Sequence, residues 1–80
     1  MPAKPDLPPL RPIRPGRYRH YKGNAYEVVG VARHSETLEE LVVYRPLYGP
    51  GDLWVRPRAM FEGEVDVDGR RVPRFEYAGG

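Results

Sequence analysis

No cysteine occurs in the 80-residue chain. That absence excludes disulfides and thiolate zinc sites, the two staples on which many small domains depend. Nor is there an apolar run of the roughly 18 residues needed to cross a bilayer. The amino terminus lacks the apolar stretch of a secretory signal, so the expectation is a soluble, cytoplasmic protein without membrane association. Large rings other than tyrosine are scarce, with one Trp and two Phe against six Tyr. A chain this short removes only about 60% of its unfolded surface from water on folding, so one small core must hold by packing alone. No amphipathic helix can be read either. Glu36 to Leu41 contains helix formers, but six residues between two strand-like runs read as a loop or hairpin tip.

Acidic charge is scarce in the first part of the chain. Residues 1–33 carry seven Lys or Arg and two acids, whereas residues 34–80 carry six and nine, so a charge of +5 is followed by −3. A uniformly basic surface for nonspecific nucleic-acid binding is thereby excluded, and any cationic footprint has to be local.

The prolines are unevenly placed. Residues 1–15 hold six of the ten, with only Leu7, Leu10 and Ile13 as large aliphatics. This composition favours extended polyproline II and cannot build a core, so 1–15 is expected to be a flexible Pro-rich tail. Within it, Pro9 to Arg14 has the PxxPxR spacing that offers two proline ridges and an arginine to an aromatic groove. Proline-rich leaders meet that spacing by chance, and a plain solubilising leader is the simpler reading.

From Gly16 the pattern changes to strands, with residues 16–77 expected to form a single small β domain and 78–80 a flexible end. Ala25 to Arg33 and Glu40 to Arg45 are rich in β-branched and aromatic residues and flank the polar stretch His34 to Glu39, which makes them a hairpin. Lys22-Gly23-Asn24 is a turn, so Arg17 to Tyr21 is a short strand before it. Tyr48 to Asp52 is a turn cluster leading into Leu53 to Arg56, and Pro57 ends that strand. Arg58 to Glu62 fits one helical turn. Glu64 to Val67 and Arg71 to Phe75 flank Asp68-Gly69, a strong two-residue hairpin signal. Five to six short antiparallel strands with at most one helical turn bury their apolar face by curling into an SH3-like β-roll or partly open barrel; an OB-like barrel, which usually needs longer strands, is the alternative.

Arginines and histidines recur beside aromatics, as in Tyr18-Arg19-His20-Tyr21, Tyr44-Arg45, Trp54-Val55-Arg56 and Arg74-Phe75. Guanidinium groups stack on rings and grip carboxylate or phosphate, so the pattern points to recognition through one cationic, π-rich surface. Alternation along a strand puts Tyr18 and His20 on one face and Arg19 and Tyr21 on the other, with one pair facing inward. The candidate ligand-binding residues are Arg19, Lys22, Arg45 and Arg56 for charge, Tyr21, Tyr44 and Trp54 for rings, and His34, Ser35, Glu36 and Thr37 as a rim. Trp54 is also the expected anchor of the core.

The segment from Gly16 onward resembles a family of small bacterial proteins known as domain of unknown function 1653. The similarity rests on Tyr18 to Tyr26, Ala32 to Thr37, Val42 to Arg45, Leu53 to Pro57, Met60-Phe61 and Arg74-Phe75, and leaves the Pro-rich leader outside. The resemblance implies an SH3-type β-roll and carries no assigned activity.

His34-Ser35-Glu36-Thr37 is the most catalytic-looking tetrad, because a histidine, hydroxyls and a carboxylate share a loop. A working triad needs a nucleophile held against an oriented base, which sequence neighbours seldom provide, and a hydrogen-bonded hairpin turn is the simpler reading. His20, His34 and Glu36 could form a two-histidine, one-carboxylate metal face only if their strands pair suitably. Gly49-Pro50-Gly51 lacks the context of a phosphate loop. The expectation is therefore a noncatalytic binding module without cofactor or metal. Its partner is a protein or peptide, with single-stranded nucleic acid as the alternative and a small enzyme or metal-dependent domain built on His34 and Glu36 as a third reading. The oligomeric state is not encoded in any of these features.

Overall fold

Period-two alternation of apolar residues, interrupted by turn-forming glycine, proline and aspartate, lays the chain out as strands with little between them. A computed structural model describes residues 7–80. Seven strands form: β1 (Gly16–His20), β2 (Ala25–Arg33), β3 (Glu40–Pro46), β4 (Trp54–Pro57), β5 (Glu64–Val67), β6 (Arg70–Pro73) and β7 (Phe75–Gly79). One short helix, α1 (Arg58–Phe61), follows β4 directly. The strands make an antiparallel five-stranded sheet in the order β4-β3-β2-β1-β7 and a separate β5-β6 hairpin. Among the described residues, no helix is long and apolar enough to span a membrane.

Two expectations need correction. Arg71 to Phe75 is not one strand, because β6 ends at Pro73 and Phe75 begins a seventh strand. The break falls at Arg74, whose N–H is taken by the Gly63 carbonyl at 3.0 Å, and beyond it the chain changes partner from β5 to β1. Residues 78 and 79, assigned from sequence to a flexible end, lie in β7. In keeping with the partly open arrangement expected from sequence, the sheet does not close into a barrel, and β4 and β7 are its two edges. At the β1–β7 contact a side chain on Gly16 would meet the Gly79 carbonyl at 2.8 Å, so the close approach of these strands requires glycine. The Asp68-Gly69 turn is as read, with φ of 51° and 80° at its two residues.

Cross-strand register sorts every side chain to one of two faces. Tyr18 opposes Tyr26, His20 opposes Phe75, Val28 opposes Tyr44, Val42 opposes Arg56 and Tyr44 opposes Trp54, so all of these share the face on which α1 packs. We call this the inner face. The core on it comprises Tyr18, Tyr26, Val28, Val42, Tyr44, Phe61 and Phe75, with Ile13 and Tyr77 packed against it. Phe61 stacks on Phe75 at 4.1 Å and 7°, and meets Tyr18 and Tyr44 edge-on, both at 5.5 Å. Trp54, expected to anchor this core, is 43% exposed, and Phe61 takes that role.

Residues 7–15 run in extended form against the domain; residues 1–6 of the predicted tail lie outside the described residues. Ile13 reaches the core, the Tyr18 hydroxyl donates to the Arg14 carbonyl at 2.7 Å, and Arg14 stacks over Tyr77 at 3.8 Å. Arg58 is only 7% exposed and donates to the carbonyls of Arg11 and Pro12 at 2.6 and 3.0 Å. Glu40 accepts from both the Arg11 backbone N–H and its guanidinium, at 3.2 and 3.0 Å.

Two outcomes follow from this packing. Phe61→Ala should cost about 3–5 kcal/mol, a large part of the stability of so small a domain, while Met60→Ala beside it, half exposed, should cost under about 1 kcal/mol. Urea denaturation measures both, and equal losses would show that Phe61 is not the anchor. The second concerns Glu40, whose carboxyl is held below its ordinary value of 4.5 by hydrogen bonds from the Arg11 side chain and backbone and by the charges of Arg11 and Arg58. A depressed native value means that the attachment is complete at neutral pH and is lost as the pH falls below 4.5 and through the lower native value. The Arg11 amide resonance should titrate with that lowered midpoint and become flat in Glu40→Gln; a midpoint at or above 4.5 would contradict the assignment.

Candidate functional site

The register that builds the core also divides the arginines. Arg19 and Arg45 point to the outer face, where the Arg45 Nε donates to Glu27 at 2.6 Å. Glu27 stands in register with both Arg17 and Arg45, so this face is a row of compensated charge rather than a cationic platform. Arg56 goes the other way. Its Nε donates to the Tyr44 hydroxyl at 3.1 Å, and its guanidinium lies 5.6 Å from the centre of the Phe75 ring.

Around Arg56 the inner face becomes a cluster of rings. His20 meets Phe75 at 4.9 Å and Tyr21 at 4.5 Å. Tyr26 lies 6.2 Å from Trp54 and shares a hydroxyl hydrogen bond of 3.1 Å with Tyr48. Tyr44 is buried and Trp54 crosses it at 90°. Tyr21, Tyr48 and Trp54 are the rings left open to solvent. The hydroxyl pair and the Arg56 bond orient the buried tyrosines, so the exposed rings stand on a fixed base.

The charge in this cluster is of one sign. Burial lowers the His20 pKa from its ordinary value of 6.5, and the cations Arg56, Arg74 and Lys22 lower it further. The His20 Nδ1 accepts the Lys22 backbone N–H at 3.2 Å, a bond that only the neutral ring can make. Among the described residues, Lys22, Arg56 and Arg74 enter no ion pair with a carboxylate. The Arg74 Nε is buried without a hydrogen-bond partner.

Of the residues singled out from sequence, Tyr21, Lys22, Tyr44, Trp54 and Arg56 come together here. Arg19 and Arg45 are on the opposite face. His34, Ser35, Glu36 and Thr37 form the turn at the far end of the β2–β3 hairpin. There the His34 Nδ1 accepts the N–H groups of Glu36 and Thr37 at 3.0 and 3.1 Å, and the Thr37 hydroxyl accepts that of Glu39 at 3.3 Å. His34 thus organises a turn in which Leu38 takes a left-handed φ of 66°. Its Nδ1 is committed to backbone donors and no triad is assembled. His20 ends β1 beside the start of β2, and His34 follows the far end of β2, so the metal face imagined from His20, His34 and Glu36 is not brought together, and the described residues hold no cluster of three metal-ligating side chains. Tyr26, Tyr48 and Arg74 were missed as site residues, and His20 was weighed only as a metal ligand. Arg74-Phe75 was visible as an arginine-aromatic pair, but nothing local reveals that β7 lies beside β1.

If Arg56 contributes to the field on His20, Arg56→Gln should raise the His20 pKa toward 6.5, although burial, the largest cause, keeps it depressed. Titration of the His20 ring protons by NMR measures this, and an unchanged midpoint would remove Arg56 from the cluster's electrostatics.

Comparison with curated proteins gives no match. Residues 16–77 match the model of a family described as protein of unknown function DUF1653. The fold is similar to the crystal structure of a protein belonging to DUF1653 from Bordetella bronchiseptica, with 42% sequence identity and a TM-score of 0.76 over 84% of this chain and 88% of that one. The family match spans both the ring cluster and the elements that position it, and the chain belongs to the DUF1653 family, whose function is not assigned.

Proposed function

We propose that this protein is a noncatalytic binding module that takes a short, extended, acidic segment of a protein partner along β4 and the His20/Arg56 cluster. The observation that carries the reading is the coincidence of an unpaired sheet edge with uncompensated cations. β4 is an edge strand, so alternate backbone N–H and C=O groups on it have no ladder partner. Leu53, Trp54 and Val55 expose apolar surface along that edge. An added strand would place every second side chain over the inner face. Trp54 and Arg56 are two residues apart there, which favours a ligand with an apolar or aromatic residue and a carboxylate at the same spacing. Pro57 limits the ladder to a few residues, so the side-chain contacts must supply most of the affinity and all of the selectivity.

A second reading rests on the same cations. Exposed Trp54 and Tyr48 beside Arg56 and Lys22 also resemble a platform for stacked bases, where each base can contribute about 1–3 kcal/mol. The two readings separate on salt dependence.

Peptides selected by display on the full chain should be enriched in an aromatic residue two positions from Asp or Glu. They should shift the amides of β4 and the ring protons of His20 in NMR titrations. Arg56→Gln and Trp54→Ala should each weaken binding about tenfold or more, and Arg45→Gln on the outer face should leave it unchanged. Selection without acidic enrichment would overturn the reading. Saturable shifts of the same residues by a mixed-sequence single-stranded oligonucleotide, falling steeply with salt, would replace the protein partner by nucleic acid.

A further inference from the structure

The leader's contacts with the domain are not those of a tail resting on a surface. Each polar group that the domain offers the leader backbone, apart from Glu40, is a donor aimed at a carbonyl. Arg58 takes the carbonyls of Arg11 and Pro12, the Tyr18 hydroxyl takes that of Arg14, and the Arg33 Nη2 takes that of Pro8 at 2.8 Å. A polyproline II segment has no internal hydrogen bonds, so its carbonyls are free, and each proline removes an N–H that would otherwise need an acceptor. A groove built from donors therefore selects backbone of this kind. Side chains add discrimination, because Arg14 stacks on Tyr77 at 3.8 Å and Ile13 is drawn into the core.

The groove is also anchored from the domain side. Arg58 is 93% removed from solvent and is held from the domain side by Glu62, at 3.1 Å, and Glu40, at 3.4 Å. It borders a cavity of about 350 Å³ shared with Glu39, Ala59 and Arg11. The residues that donate to the leader lie within the family match, which begins at residue 16, while the leader lies outside it. The carbonyls that this buried guanidinium holds belong to residues 46 and 47 positions away in the chain.

We infer that the groove lined by Tyr18, Arg33, Arg58 and Tyr77 is a recognition site for an arginine-bearing, proline-rich segment, filled here by residues 8–14 of the same chain. The PxxPxR spacing of Pro9 to Arg14 is then read by its own domain. This site stands apart from the β4 edge and does not depend on the function proposed there.

The test releases the leader and returns it in trans. In the full chain, Ile13→Ser together with Arg14→Ser removes two of the three side-chain anchors, leaving the pairing of Arg11 with Glu40, and substitutes no residue that lines the groove. A synthetic peptide of residues 7–15 should then bind saturably and shift the Arg58 Nε–H and the rings of Tyr18 and Tyr77. The same peptide carrying Arg14→Ser should bind at least tenfold more weakly, and the unsubstituted chain should not respond at the same concentration because its groove is filled. Silence from a folded, released chain at millimolar peptide would overturn the proposal, as would equal binding of the two peptides. Should the double variant unfold, heteronuclear NOE values for the amides of Leu10, Arg11, Ile13 and Arg14 in the unsubstituted chain decide the matter. Strand-like values are expected, and values typical of a free terminus would overturn it.

Discussion

The stack of Phe61 on Phe75 holds together a sheet that does not close on itself. Phe61 lies on the helix that leaves β4, and Phe75 lies in β7, so the two rings join the opposite edges of the five-stranded sheet across its inner face. A backbone ladder between those edges would have sealed them. A ring contact instead ties them while leaving β4 free to pair. With no cysteine and few large aliphatics, the chain fills the space beneath this contact with tyrosines, whose hydroxyls must find partners when buried. Tyr44 finds Arg56, Tyr26 finds Tyr48, and Tyr18 finds the leader carbonyl of Arg14. The polar features at both ends of the inner face are thus consequences of building a core from tyrosine.

Pro57 sets the division of labour between the two arginines that flank it. Arg56 is the last strand residue before the proline and keeps the strand alternation, which sends its guanidinium inward to Tyr44 and Phe75. Arg58 starts the helix, where the direction of the chain has changed, and it reaches the leader instead. One rigid residue between two identical side chains separates the ring cluster from the leader groove. The resulting sites have opposite character: cations without acids at one, and a guanidinium saturated by carboxylates and carbonyls at the other.

What could be read from the sequence follows the range of the interactions. β2, β3, β5 and the Asp68-Gly69 turn depend on β-branched runs and turn residues a few positions apart, and they lie where the pattern put them. Tyr44, Trp54 and Arg56 could be grouped because a hairpin brings near neighbours into register. The separation of Arg19 and Arg45 from that group also follows from alternation, once the inner face is known. Trp54 was misread because size alone suggested burial, whereas an edge strand covers its side chains on one side only. β7, Arg74 and Arg58 were out of reach, since each depends on pairing across 46 residues or more, for which no local pattern exists. His34 is an intermediate case. Its turn was anticipated, but that the imidazole accepts two of the turn's backbone donors, with the Thr37 hydroxyl taking the third, was not.

The acidic excess of residues 34–80 left room only for a local cationic footprint, and the ion pairs show where acids and cations are kept apart. Glu40 and Glu62 are occupied by Arg58, with Arg11 also on Glu40, while Glu27 is held by Arg45 and Glu64 by Arg71. These carboxylates are spent on the leader groove, the outer face and the β5-β6 hairpin, at positions fixed by strand register. None is assigned to the His20 cluster, where Arg56, Arg74 and Lys22 act on one imidazole and the Arg74 Nε has no partner. Within a Debye length of about 8–10 Å, the field a ligand meets is that of its immediate neighbours, and the formal charge of +2 for the whole chain says little about it. The same folding that pairs the acids elsewhere leaves this end of the inner face cationic.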